Sequence, residues 1–257
     1  MTVRAKKHLG QHFLTDENIA RKIVEGLSFH GYEKILEVGP GTGVLTKYLL
    51  EKPQPLFLAE IDTESIDYLK KNYPIQENQF VGDFLKADIP ALFQEQTAVI
   101  GNFPYNISSQ ILFKIVENFT MIPEMCGMFQ KEVAERTAAQ PRSKDYGILS
   151  VLVQAYYDVK YLFTVSENVF NPPPKVKSGV ILLTRKPKEG LEGNEQLFKN
   201  IVKTGFNQRR KKLSNALKIL NIPENMKTHP FFDKRAEELS VGDFIEFANL
   251  WREEKRD

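Results

Sequence analysis

The sequence predicts an α/β fold, a mostly parallel sheet with helices on both faces, followed by a small all-helical domain. Three observations predict it. Short apolar runs alternate with stretches of helical periodicity from residue 17 to residue 165, the pattern of a parallel sheet. Several runs end in Gly-rich or acidic turns, where open α/β sheets bind ligands. Past a Pro-, Gly- and charge-rich boundary at 186–193, apolar residues recur only at helical spacing.

The elements follow in order. Residues 6–14, KKHLGQHFL, are basic and then apolar around a Gly, and read as an ordered arm. Thr15 can cap a helix with Asp16 and Glu17 in its first turn, where the helix dipole favours acids. Ile19, Ile23, Val24 and Leu27 form its apolar stripe. Residues 34–38 make the first strand, and Gly39-Pro40-Gly41-Thr42-Gly43 turns into a helix at 44–51. The second strand, 56–59, ends in Glu60 and Asp62 before a helix at 63–72. Phe80-Val81 is the third, ending at Gly82-Asp83. The fourth, an apolar run at 98–101, ends at Asn102 before a helix at 107–119 with Ile111, Leu112, Ile115 and Val116 on its apolar side. A fifth strand at 125–129 leads to a helix at 131–140, a polar loop at 141–146 and a helix at 147–156. Two later strands, 161–165 and 180–184, flank Asn171-Pro172-Pro173-Pro174 and bring the sheet to seven. Helical spacing resumes at Leu197, Phe198, Ile201, Val202 and Phe206, then at Leu213, Leu217 and Leu220. The expected domains are 1–187 and 188–257.

Composition bounds the function. The chain has 257 residues, 42% of them hydrophobic, ample for one large domain and a small one. No run approaches the ~18 apolar residues of a membrane helix. Residues 1–10 carry Arg4, Lys6 and Lys7 but no apolar stretch, so no secretory signal or membrane partner is expected. Cys126 is the sole cysteine, reads as a small buried hydrophobe and excludes an intramolecular disulfide. A reducing cytoplasm is the expected location. With four His residues and no ligand-like cluster, no metal is expected. Net charge is only +2, but unevenly laid out. Residues 171–188 hold five basic side chains and no acid, residues 199–218 hold seven and no acid, and residues 224–257 are net acidic. That layout suggests basic patches meeting phosphates.

Chemistry concentrates at the strand ends. Asn102-Phe103-Pro104-Tyr105 sets a carboxamide, a rigid carbonyl and an aromatic ring together. A planar ring with an exocyclic amino group can stack on Tyr105 and donate to the Asn102 side-chain oxygen and the Pro104 carbonyl. Amino methylation of adenine fits these groups. The glycines at 39, 41 and 43 allow a sharp turn and close approach of a ligand. Their GxGxG spacing, with no following Lys, supports neither a dinucleotide fingerprint nor a phosphate-cradling loop. Glu60, seventeen residues after Gly43, can accept from ribose hydroxyls, with Ile61 beside it. Asp83 can accept from an adenine amino group, and Phe84 can pack on that ring. A nucleoside without phosphates, such as S-adenosylmethionine, fits this set, with Glu37 and Glu60 as the acids facing its sulfonium.

These residues carry a family resemblance. LGQHFL at 9–14, EVGPGTGVLT at 37–46, AEID at 59–62, GDFL at 82–85 and NFPYNISS at 102–109 resemble the KsgA family of ribosomal RNA adenine dimethyltransferases. So do FQKEVAERTAA at 129–139, FNPPPKVKSGV at 170–180 and FNQRRKKLSNAL at 206–217. The resemblance implies a Rossmann-like class I methyltransferase domain with a small helical domain, and S-adenosylmethionine as donor. The implied substrate is a pair of adjacent adenosines in the 3′-terminal hairpin loop of small-subunit rRNA, dimethylated within a pre-30S particle by a monomer. Carried over, the donor contacts are His12, Leu14, Gly39, Glu60, Asp83 and Asn102, with Gly41, Ile61 and Phe84 alongside; the catalytic turn is Asn102, Pro104 and Tyr105. The family often has Asn at His12 and usually Leu at Phe103. A His ring can still donate to the donor's carboxylate.

The expected mechanism is alignment. Hydrogen bonds to Asn102 and Pro104 localise the amino lone pair, Tyr105 stacks on the flipped-out base, and Phe170 closes its other face. No dedicated general base is evident, so water takes the proton. Lys175, Lys177 and the run Arg209, Arg210, Lys211 and Lys212 are the expected rRNA contacts. An Erm-type enzyme acting on large-subunit rRNA shares the arm, donor site and turn, whereas PPPKV and RRKKLSNAL favour KsgA. A non-catalytic ribosome-assembly factor could use the same fold, although an intact NFPY turn argues for catalysis. A DNA adenine methyltransferase would share the chemistry, but no segment suits the reading of duplex grooves.

Overall fold

Strands β1 (Phe13–Leu14), β2 (Lys34–Val38), β3 (Leu56–Ala59), β4 (Thr97–Asn102) and β5 (Glu124–Gln130) lead the chain. Strands β6 (Tyr157–Val165), β7 (Phe170–Asn171) and β8 (Ser178–Arg185) follow. The computed structural model describes residues 3–187, 191 and 193–253, so expected boundary residues 188–190 and 192 lie outside the described residues. Six strands form the central sheet in the order β3-β2-β4-β5-β8-β6. β3, β2, β4 and β5 run parallel, and β8 is antiparallel to β5. Nearly every residue of β2, β4 and β5 is buried, as expected of parallel strands covered on both faces. Cys126 is buried in β5.

The seventh position is a bridge rather than a strand. Phe80 pairs in parallel with Leu58 alone, and Val81 N–H donates to the Leu58 carbonyl at 2.9 Å. A 3-10 turn (Glu77–Gln79) before it and left-handed Gly82 after it leave no length for a ladder. The sequence also misses a two-stranded ladder: Phe13 pairs with Asn171 and Leu14 with Phe170, joining the arm to the segment before the prolines.

Helices α1 (Glu17–Val24), α2 (Thr46–Leu49), α3 (Thr63–Asn72), α4 (Ile89–Phe93), α5 (Ser108–Glu117) and α6 (Lys131–Ala138) connect the strands. The cap of α1 is Asp16, whose carboxylate accepts from the N–H groups of Asn18 and Ile19 at 2.9 and 3.0 Å. Thr15, expected there, instead donates its hydroxyl to the Val169 carbonyl at 2.9 Å. Asp62 caps α3 in the same way as Asp16 caps α1.

The chain forms two compact units, Met1–Glu135 with Asp158–Arg185, and Arg136–Tyr157 with Lys186–Asp257. The second therefore draws on two stretches of sequence and contains α7 (Ile148–Gln154), α8 (Glu195–Asn207), α9 (Leu213–Ala216) and α10 (Val241–Glu253). Its core is aromatic: Phe247 meets Phe232 edge-on at 5.1 Å and Trp251 at 5.6 Å. Buried Tyr146 packs edge-on against Phe206 and donates its hydroxyl to the Leu239 carbonyl at 2.9 Å. That bond draws the expected polar loop into this unit's core. Among the described residues no helix is long and apolar enough to cross a membrane.

One packing arrangement sets the end of β4. Gly101 and Gly127 are register partners, and their missing side chains make the slot that Phe103 fills. The ring stacks on Phe129 at 4.7 Å. A Cβ at Gly127 would lie 2.1 Å from Phe103 Cε2 and 2.8 Å from the Gly101 carbonyl oxygen. Gly127→Ala is expected to lower stability by about 1–3 kcal/mol, as overpacking does in a dense core, measured by urea unfolding.

Candidate active site

The parallel register brings three turns together. Val38 pairs with Ala59, and Glu37 with Ile100, so the chain leaves β2, β3 and β4 at one edge of the sheet. From β2 it proceeds to β3 on one side, while β4 lies on the other, the kind of switch point where α/β sheets form a crevice. A cavity of about 280 Å³ opens there. Its walls are Gly39 and Gly41, Glu60 and Ile61, Asp83 and Leu85, and residues 102–107; arm residues 9–13 complete it.

At one end lies Glu60, nearly fully buried. Its Oε1 accepts from the N–H groups of Ile61 and Asp62, each at 2.9 Å, and Oε2 from Gly41 at 3.2 Å. A carboxylate has about four acceptor positions. The fourth, on Oε2, takes no donor among these contacts. Burial pushes the Glu60 carboxyl above the ordinary range, against the pull of the three N–H groups. Gly41 has φ 55°, and a Cβ there would lie 2.8 Å from the Phe13 ring, so the turn passes directly under the arm. Asp83 Oδ1 accepts from the Leu85 N–H at 2.9 Å, and Lys86 Nζ stands 3.6 Å from Oδ2.

At the other end the Asn102 side chain has a determined orientation. Its Nδ2 donates to the His12 carbonyl at 2.8 Å. A carbonyl only accepts, so the amide nitrogen must face the arm and Oδ1 is the half turned elsewhere. The Pro104 carbonyl receives only long contacts, from Ile107 N–H at 3.3 Å and Ser108 Oγ at 3.5 Å. The Tyr105 hydroxyl is hydrogen-bonded to Ser178 Oγ, and burial raises its pKa while that bond works the other way. The His12 ring lies 5.3 Å from the Tyr105 ring, tilted by 31°. Its Nδ1–H donates to the Pro172 carbonyl at 2.8 Å, so the neutral ring offers Nε2 only as an acceptor, and donation to a ligand carboxylate there requires the doubly protonated ring.

The arm is latched. Lys6 forms an ion pair with Asp62 and lies 3.3 Å from Glu64, while Gln11 Nε2 donates to Asp62 Oδ2 at 3.2 Å. Burial raises the Asp62 carboxyl, but the bonds from Lys6, Gln11 and Ser65 outweigh it and hold it below its ordinary value. Gly10 comes so close to Asn106 that a Cβ would lie 2.7 Å from its Oδ1.

The model of one protein family, described as ribosomal RNA adenine dimethylase, matches residues 2–252. The chain belongs to the ribosomal RNA adenine dimethylase family. It is 58% identical over 245 residues to the ribosomal RNA small subunit methyltransferase A of Flavobacterium johnsoniae, covering 95% of this chain and 94% of the relative. The corresponding protein of Cytophaga hutchinsonii is 55% identical, over 96% and 97%. Among solved structures, a dimethyladenosine transferase from Plasmodium falciparum superposes with a TM-score of 0.79 at 26% identity, over 95% and 98% of the two chains. The 23S rRNA methyltransferase ErmE does so at 0.67 and 25%, over 91% and 98%. The fold is that of a Rossmann-like methyltransferase, and the chain is an rRNA adenine dimethyltransferase by family.

Within this family's fold, the structure sorts the expected site residues. His12, Gly39, Gly41, Glu60, Ile61, Asp83, Asn102, Pro104 and Tyr105 share the cavity. Leu14, Phe84 and Phe170 do not line it and are buried. Leu14 and Phe170 are ladder partners in the hydrophobic core. Residues 84–86 form a turn, which buries Phe84 and leaves Leu85 at the wall. Glu37 is fully buried beneath the Gly turn, accepting from the Thr46 hydroxyl at 2.7 Å. Burial pushes its pKa up to about 8, which favours the neutral carboxyl at neutral pH. Lys175 and Lys177 are exposed. In the second unit Arg210, Lys211 and Lys212 are exposed, but Arg209 is a structural tie. Its guanidinium bonds Glu237 and the carbonyls of Lys144 and Ser143, the last two at 2.7 and 3.0 Å. Lys212 Nζ pairs with Asp233 at 3.1 Å. Sequence reading missed Ser178, Leu85 and the Lys6–Gln11–Asp62 latch. Only Asp62 carried a signal, as an acid before a helix.

Glu37 makes stability depend on pH. Its folded pKa lies above its unfolded value of 4.5, so the folded state holds a proton that the unfolded state releases as pH rises. Its contribution falls between pH 4.5 and about pH 8 and is constant beyond. Glu37→Gln is expected to flatten that decline, seen by comparing urea midpoints of both proteins across this range.

Proposed function

We propose that the chain transfers two methyl groups from S-adenosylmethionine to the 6-amino group of each of two adjacent adenosines in the 3′-terminal hairpin loop of small-subunit rRNA. It acts on a pre-30S particle, as a monomer, in the cytoplasm. The observation that carries this reading is the Asn102 amide. Its nitrogen is committed to the His12 carbonyl, which leaves Oδ1 as the amide's acceptor in a cavity that Pro104 and Tyr105 also line. Two acceptors and a stacking face match an adenine amino group, which offers two N–H donors in the ring plane. The names of the relatives favour the small subunit over the large.

The residues present fit the donor. Glu60 retains one acceptor position for a ribose hydroxyl, Asp83 stands at the next turn, and Gly41 lets backbone approach closely. When bound, S-adenosylmethionine supplies a methyl group already activated on a positive sulfur, so the reading needs no metal. The chain's own residues do the rest. Hydrogen bonds to Asn102 Oδ1 and the Pro104 carbonyl draw the amino group toward tetrahedral geometry and take its nitrogen lone pair out of conjugation with the ring. Tyr105 fixes the plane of the base by stacking, worth about 1–3 kcal/mol per base. Arm residues 9–13 wall the cavity against water, and alignment of two held reactants lowers the barrier. The proton leaves to solvent.

Unmethylated small and large subunits are incubated in parallel with labelled donor, and the methylated nucleotides are mapped. Adjacent dimethyladenosines in the small subunit alone are expected; label in the large subunit would favour an Erm-type activity. Asn102→Ala is expected to bind the subunit while losing about 100-fold or more in turnover; full turnover would remove Asn102 from the mechanism.

The basic run divides by role. Arg210→Glu with Lys211→Glu is expected to weaken subunit binding and flatten its salt dependence by about one unit of slope per lost phosphate contact. Arg209→Ala is expected to lower thermal stability instead, because Glu237 and two carbonyls lose their donor.

A further inference from the structure

Tyr105 is held at both ends. Its carbonyl accepts from Ser108 Oγ at 3.0 Å within the turn after β4. Its hydroxyl shares a hydrogen bond with Ser178 Oγ, and Ser178 is fully buried as the first residue of β8. The serine's backbone has little freedom. Ser178 pairs with Gln130 of β5, and the carbonyl before it, on Lys177, accepts from Lys131 N–H at 2.9 Å. Next along, a Cβ at Gly179 would lie 2.8 Å from both Ala134 Cβ and the Tyr161 hydroxyl. The phenol is thus tethered to the sheet itself, across from the turn that carries it.

The tether bears unequally on the two transfers. An unmethylated amino group offers two N–H bonds, to Asn102 Oδ1 and the Pro104 carbonyl. The first transfer forms an N–CH3 bond as the S–C bond breaks; its electron pair stays on sulfur, and one amino proton goes to water. The nitrogen must then be aligned again with one hydrogen bond fewer. More of that alignment falls on the stacking ring, whose plane is set by its hydroxyl anchor. We propose that Ser178 is a positioning residue for the second methyl transfer, acting through the Tyr105 hydroxyl. This rests on the reading of Tyr105 as the stacking face.

Unmethylated small subunits are treated with the unsubstituted protein, Ser178→Ala, Tyr105→Phe and the double variant, and the mono- and dimethyladenosine formed are quantified. Dimethyladenosine from the unsubstituted protein tests the underlying reading; the ratio among the variants tests Ser178. Both single variants are expected to raise the mono-to-dimethyl ratio about tenfold, and the double variant by the same factor, because each breaks the same bond. KM for the subunit is expected to change little, and Ser178→Thr, which keeps the hydroxyl, to bring the ratio back toward the unsubstituted value. If Ser178→Ala fails to fold, Tyr105→Phe breaks the bond from its other end and decides alone. An unchanged ratio in the folded single variants, or effects that multiply in the double variant, overturns the proposal.

Discussion

The hydrogen bond from Asn102 Nδ2 to the His12 carbonyl, 2.8 Å long, is the contact on which the cavity depends. It ties the end of β4 to an arm 90 residues earlier in the chain. It also determines which atom of the amide faces the arm, because a carbonyl cannot donate. The arm is held in turn at the opposite edge by Lys6 and Gln11 on Asp62. One short segment therefore spans the turns that follow both β3 and β4, and neither end of the cavity has its wall without it.

The acids near this edge show how position decides charge. Glu37, Glu60 and Asp62 fall within two neighbouring turns and strands, yet each meets a different environment. Glu37 has the Thr46 hydroxyl as partner and full burial, which favours its neutral form. Glu60 is also buried but gathers three backbone N–H groups, partial compensation that an acceptor facing a ligand can use. Asp62 has a lysine and three further donors, from Gln11, Ser65 and the Glu64 N–H, and stays charged. Desolvation and hydrogen bonding act on all three; the number and charge of the donors decide the outcome.

The same division of labour appears in the second unit. Four consecutive basic residues look equivalent in sequence, but they lie between the end of α8 and the start of α9, where the chain turns. Arg209 bonds Glu237 and two carbonyls, whereas Arg210 and Lys211 are exposed. A basic run supplies both a structural tie and solvent-facing charge, and only the fold distinguishes them.

By itself the sequence determined the alternation of strands and helices, the edge at which the cavity opens and most of the cavity's residues. Those features are local. Strand β2, strand β3 and helix α3 lie where their apolar periodicity and flanking turns put them, and a turn at a strand's end stays there in any parallel arrangement. What the tertiary structure alone decided was which side chains face the cavity and what each one touches. Phe84 and Phe170 have the right chemistry and are buried, because a turn redirects one and a ladder with the arm buries the other. Phe80-Val81 has strand composition but too little room for more than a bridge. Ser178 lies 73 residues from Tyr105, and the arm 90 from Asn102, separations over which no periodicity carries information. Such contacts exist only once β8 has paired with β5 and the arm has crossed the strand ends, so they are properties of the folded chain.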